Sequence, residues 1–79
     1  MKIVVLGTGC RNCKKLIENV ATATESFDGE FEILKVEDLD EILKYEVFLT
    51  PGLVIEDEVV ATGKVVSVEA IAEMIRERL

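Results

Sequence analysis

The sequence has no histidine, no tryptophan, one proline and only two cysteines among its 79 residues. With no imidazole, a Cys–His catalytic pair and a zinc site of mixed cysteines and histidines are both impossible. No segment approaches the roughly 18 apolar residues that a membrane-spanning helix needs. The apolar start, Met1 to Leu6, is too short for a signal peptide and has no cleavage site. Positive charge is also scarce, with 9 Lys and Arg against 16 Asp and Glu and a net charge of −7. Nucleic acids and anionic membranes demand a basic surface, so neither is expected as a partner. No repeat, low-complexity tract or linker divides the chain. The expectation is one domain over residues 1–79, a cytoplasmic monomer. With 49% hydrophobic residues, it should build an almost fully covered sheet.

What is present sorts into seven elements. Lys2 to Leu6 (KIVVL) is a β-branched run that reads as a buried central strand. A first helix is predicted from about Cys10 to Ser26. Its inward face is Cys13, Leu16, Ile17, Val20, Ala21, Thr24 and Phe27, and Asp28-Gly29 stops it. Phe31, Ile33, Leu34 and Val36 mark a second strand. Asp38, with Glu41 three residues on, reads as the N-cap of a short helix ending near Tyr45. Gly52 to Ile55 is a third strand, Glu56-Asp57-Glu58 a turn, and Val59 to Thr62 a fourth strand. Residue 58 is Glu where a tight hairpin favours Gly, which predicts a loose turn there. Ser67 caps a last helix, Val68 to Arg78, with Val68, Ile71, Ala72, Ile75 and Leu79 as its apolar stripe. The order β-α-β-α-β-β-α implies an α/β fold. A strand–helix–strand unit gives a right-handed parallel crossover, and the short turn gives an antiparallel hairpin. A four-stranded mixed sheet flanked by helices follows.

Both cysteines fall in one segment, Gly7-Thr8-Gly9-Cys10-Arg11-Asn12-Cys13, between the first strand and the first helix. Residues i and i+3 of a helix share a face, so the two sulfurs can come within the Cα separation of about 4.4–6.8 Å that a disulfide tolerates. Unpaired N–H groups and the positive end of the helix favour a thiolate at Cys10. Cys10 is the candidate nucleophile. Cys13, on the apolar face, is the candidate resolving thiol. Arg11, Lys14 and Lys15 cluster beside the pair. They either solvate the first helical turn or favour the thiolate and meet an acidic partner. Gly7 and Gly9 let the chain turn tightly and leave the Cys10 sulfur open. A dinucleotide loop is the lesser reading of these glycines, because its third glycine would fall at Asn12.

Three features together resemble the thioredoxin/glutaredoxin superfamily, and in particular its small redox-active disulfide proteins. They are the Gly-Thr-Gly-Cys-x-x-Cys segment at 7–13, Thr50-Pro51 ahead of the strand Leu53-Val54-Ile55, and Gly63-Lys64 before the last helix. The resemblance covers essentially the whole chain and implies a minimal thioredoxin fold. It also implies dithiol–disulfide exchange with protein disulfides, fed by a partner reductase or a small thiol, with no bound cofactor. Pro51 would be a cis-proline beside the disulfide, and the Thr50 backbone would pair with a substrate strand. Gly9, Arg11 and Gly63 complete the expected substrate-binding set. The chain departs from the thioredoxin pattern in the Arg11-Asn12 dipeptide, in Gly9 where tryptophan precedes the first cysteine, and in having no acid in the first strand. Two rival readings use the same cysteines. One is a soft-metal carrier of the copper type. The other is a dimer sharing zinc or an iron–sulfur cluster through two cysteines per chain.

Overall fold

A computed structural model describes residues 1–9 and 11–79, and Cys10 lies outside the described residues. The elements run β1 (Lys2–Leu6), α1 (Arg11–Thr24), β2 (Glu32–Val36), α2 (Leu39–Lys44), β3 (Gly52–Ile55), β4 (Glu58–Thr62) and α3 (Val68–Arg76). The strands form one sheet in the order β2-β1-β3-β4. β1 runs parallel to β2, as the α1 crossover requires, and antiparallel to β3. β3 and β4 form the expected hairpin. The result is the four-stranded mixed α/β architecture of a minimal thioredoxin fold.

Alternation along β1 sends its side chains to two cores. Ile3 and Val5 join Leu53 and Ile55 on one face, under Leu16, Val20 and Ala23 of α1 and Ile71 and Ile75 of α3. Val4 and Leu6 join Val54 on the other face, under Ile42 of α2 and Val47. Each fully buried Val, Leu or Ile here stabilises the fold by about 1.5–3 kcal/mol, and the two central strands supply such side chains to both faces of the sheet. The Asn19 amide donates to the Val66 carbonyl at 2.9 Å, tying α1 to the segment that leads into α3.

The helix starts follow the expected caps. Asp38 Oδ1 accepts from the Asp40 and Glu41 N–H groups, and Ser67 Oγ accepts from the Ala70 N–H at 3.1 Å. The reciprocal half of the capping box is replaced, since Glu41 Oε1 instead takes a bond from Lys44 Nζ.

Several expectations are corrected. α1 ends at Thr24 rather than Ser26, because the Ser26 and Phe27 N–H groups bond three residues back, to Ala23 and Thr24, and tighten the last turn. Its inward face uses Ala23, while Ala21 is exposed. β2 is not covered as a buried strand would be. It is an edge, and Ile33 and Leu34 are each 37% exposed. α3 ends at Arg76, short of Arg78, and Leu79 lies outside its stripe at 75% exposure.

The hairpin turn is tight instead of loose. Ile55 pairs with Glu58, which leaves only Glu56 and Asp57 as the loop, and β4 starts one residue earlier than expected. Glu56 (φ 50°) and Asp57 (φ 65°) both adopt the left-handed conformation of a type I′ turn. Glu56 is held there by Lys2: its N–H donates to the Lys2 carbonyl at 2.9 Å, and its Oε1 accepts from the Lys2 N–H at 3.2 Å.

Candidate functional site

The sheet register brings four chain segments to one end. Leu6 is paired with Val36 of β2 on one side and Gly52 of β3 on the other, and Gly52 is paired with Thr62 of β4. The residues just past this row are Gly7, Glu37, Pro51 and Gly63. Two hydrogen bonds stitch them together: the Gly7 N–H donates to the Val36 carbonyl and the Gly63 N–H to the Pro51 carbonyl, both at 2.9 Å. The cysteine segment, the proline loop and the turn after β4 therefore meet where the parallel strands β1 and β2 end at their C-terminal edge. That edge is the usual ligand-binding end of open α/β sheets.

Cys13 occupies the first turn of α1 on its inward side and is 1% exposed. It lies directly against Gly7, and a Cβ on that glycine would overlap the Cys13 sulfur and stand 3.0 Å from Cys13 Cβ. Gly9 has φ +88°, a left-handed conformation that favours glycine. The carboxylate of Glu37 faces it: Oε2 would be 3.3 Å from a Cβ at Gly9, while Oε1 pairs with Lys35 Nζ at 3.0 Å.

The first turn of α1 contains no acidic residue. Arg11, Lys14 and Lys15 are exposed and, with Glu18, line a surface groove of about 410 Å³. Lys15 is drawn toward Glu18 at 3.9 Å. Among the described residues no carboxylate pairs with Arg11 or Lys14 within 4.0 Å. A chain of net charge −7 thus presents a locally cationic helix start, which together with the helix dipole favours an anion there.

The Thr50-Pro51 peptide bond is cis, as the resemblance implied. Pro51 is buried and Thr50 exposed. Gly63 (φ +71°) supports this loop from β4, and Leu49 closes over it, with Leu49 Cβ 3.2 Å from where a Cβ on Gly63 would stand. Phe48 and Leu49 remain 81% and 66% exposed beside the proline, leaving an apolar rim at the same end of the sheet.

Of the residues singled out from sequence, Gly9, Arg11, Cys13, Thr50, Pro51 and Gly63 gather at this end, and Cys10 falls outside the described residues. Three neighbours were missed. Gly7 reads as a turn former but serves as the floor under Cys13. Leu49 packs on Gly63. Glu37 faces Gly9, and its position one residue past the strand parallel to β1 was the available signal. Among the described residues, no group of three or more His, Cys, Asp or Glu is placed to hold a metal. No described helix is long and apolar enough to cross a membrane.

Comparison with known proteins agrees with this geometry. A family model described as a thioredoxin domain matches residues 1–76. The chain is 43% identical over 77 residues to a thioredoxin of Methanocaldococcus jannaschii, spanning 98% of this chain and 88% of that protein. It is 35% identical over 75 residues to a thioredoxin of Methanothermobacter thermautotrophicus, spanning 95% of this chain and 97% of that one. A match over nearly the whole length, on a sheet and cis-proline loop arranged in this way, places the chain in the thioredoxin family of thiol–disulfide oxidoreductases.

Proposed function

We propose that Cys10 and Cys13 form the redox pair, with Cys10 as nucleophile and Cys13 as resolving thiol, and that the substrates are protein disulfides. The observation that carries this reading is the seat of Cys13 in the first turn of α1, at the sheet end it shares with the cis Thr50-Pro51 loop.

In the forward direction the Cys10 thiolate attacks a client disulfide. One sulfur–sulfur bond forms to the client, and the client's other sulfur leaves as a thiolate. Cys13, as thiolate, then attacks Cys10. The intramolecular disulfide forms, the second client sulfur departs, and the two electrons have passed to the client. The helix start and the cations at 11, 14 and 15 favour the thiolate form of Cys10. Gly9 adds no side chain ahead of residue 10, Thr50 offers backbone groups to an extended client, Gly63 shapes that loop, and Arg11 favours acidic neighbours on the client. A reductase or a small thiol restores the dithiol. The protein works as a single-domain monomer in the cytosol.

Reduction of insulin disulfides in the presence of dithiothreitol tests the assignment. The unaltered protein should accelerate the reaction and Cys10→Ser should abolish the acceleration. Pre-reduced Cys13→Ser mixed with insulin after removal of dithiothreitol should accumulate a mixed disulfide visible as an added client mass. Wild-type rates from Cys10→Ser would overturn the reading.

A further inference from the structure

Resting on that assignment, we propose that Gly7 is a positioning residue for the resolving step: the missing side chain at residue 7 creates the seat that holds the Cys13 sulfur.

Residue 7 directly follows β1, and its N–H is fixed to the Val36 carbonyl at 2.9 Å. The backbone there is anchored on the β2 side and cannot retreat without losing that bond. Cys13 approaches it from the first turn of α1, and a single methyl group on Gly7 would occupy the space of its sulfur. Gly7 differs in this from Gly9, Gly29 and Gly63, whose φ angles are left-handed and which need glycine for backbone reasons. Gly7 is outside that region, so its φ does not itself call for glycine. What the glycine supplies is space for one sulfur atom.

The chemistry explains why that space matters. Resolution requires the Cys13 sulfur to approach Cys10 along the sulfur–sulfur axis of the mixed disulfide, and disulfide geometry is narrow in both distance and dihedral. A methyl at residue 7 takes the space in which the Cys13 sulfur lies, so the Cys13 side chain must turn about χ1 or the first turn of α1 must shift. Either change leaves the Gly7 position crowded by Cys13 Cβ at 3.0 Å and moves the nucleophile by about 1 Å or more, a displacement that can cost on the order of 100-fold in rate. The first step, attack by Cys10 on the substrate, does not involve the Cys13 sulfur as a reactant.

The two steps separate with the aryl disulfide dithiobis(nitrobenzoate), whose cleavage releases one coloured thiolate on attack by Cys10 and a second on resolution by Cys13. In stopped-flow mixing, Gly7→Ala should keep the first release within about threefold of wild type and slow the second by about 100-fold. A second measurement guards against simple misfolding. If the methyl's cost is its collision with sulfur, Gly7→Ala should lower the urea midpoint less in a Cys13→Ala background than in the wild type. There only the 3.0 Å approach to Cβ remains. Unchanged second-phase kinetics in a folded Gly7→Ala protein would overturn the proposal. So would equal slowing of both phases, or an equal midpoint loss in both backgrounds. Failure of the wild type to release any coloured thiolate would instead overturn the assignment of Cys10.

Discussion

Replacing Gly63 with alanine tests how the proline loop is held. Gly63 has φ +71°, where an L-residue costs about 1–2 kcal/mol. Alanine returns part of that cost, about 0.4–1 kcal/mol, by reducing the entropy of the unfolded chain. Two local facts prevent further relief. The Gly63 N–H is bonded to the Pro51 carbonyl at 2.9 Å, so swinging φ to negative values would give up a bond contributing about 0.5–1.5 kcal/mol. The new Cβ would also stand 3.2 Å from Leu49 Cβ, and Leu49 must move by a few tenths of an ångström. The strain outweighs the entropy term, and Gly63→Ala should be destabilising by about 1 kcal/mol. With an m-value near 1 kcal/mol/M for so small a chain, the urea midpoint should fall by about 1 M at unchanged m. Gly63→Asn separates the terms, because asparagine tolerates the left-handed region but keeps the crowding at Leu49. It should recover the larger part of the loss. A Gly63→Ala midpoint at or above wild type would refute the reasoning, because the loop would then tolerate a rearranged residue 63.

Two further substitutions probe the local signals. Ser67→Ala removes the acceptor for the Ala70 N–H and should cost about 1 kcal/mol, seen as a melting temperature lower by about 4–8 °C; Ser67→Asp should retain most of the wild-type value. Asp57→Gly relieves a left-handed residue at the second loop position of the β3–β4 turn and should raise the urea midpoint, by about 0.5 kcal/mol of stability. No gain would mean that the Glu56–Lys2 anchor alone sets the turn.

The parts of the fold written in short-range chemistry were legible. KIVVL can only be a buried strand, and Asp38 and Ser67 cap the helices they were expected to cap. What sequence could not supply depended on which element lies beside which. FEILKV carries the same β-branched signal as β1, yet β2 pairs on one side only and is exposed. Ala21 and Ala23 are equivalent by composition, and only the face that α1 turns to the core, with Cys13, Leu16 and Val20, separates buried Ala23 from exposed Ala21. Leu79 continues the α3 stripe but has no sheet beneath it. Glu56-Asp57 lacks the glycine that announces a tight hairpin, and a tertiary contact to Lys2 replaces it. At the site, the cysteine spacing and the proline point to the chemistry proposed above. The contacts of Gly7 with Cys13 and of Glu37 with Gly9 cross between elements and leave no local trace.

One irregularity explains why Gly63, rather than its neighbour, closes the site. At the turn end of the β3–β4 hairpin the pairs are Ile55 with Glu58 and Val54 with Val59. At the far end they are Leu53 with Ala61 and Gly52 with Thr62. Val60 is the extra residue, a bulge that advances β4 by one position. In an unbulged ladder Thr62 would stand opposite Pro51. It would bring a β-branched side chain to the place where Leu49 already sits against Gly63, in a left-handed conformation that β-branched residues avoid. The bulge delivers instead the residue with no side chain, and its N–H meets the Pro51 carbonyl. The geometry of the proline loop is thus fixed several residues away, by the count of residues between the turn at Glu56-Asp57 and Gly63.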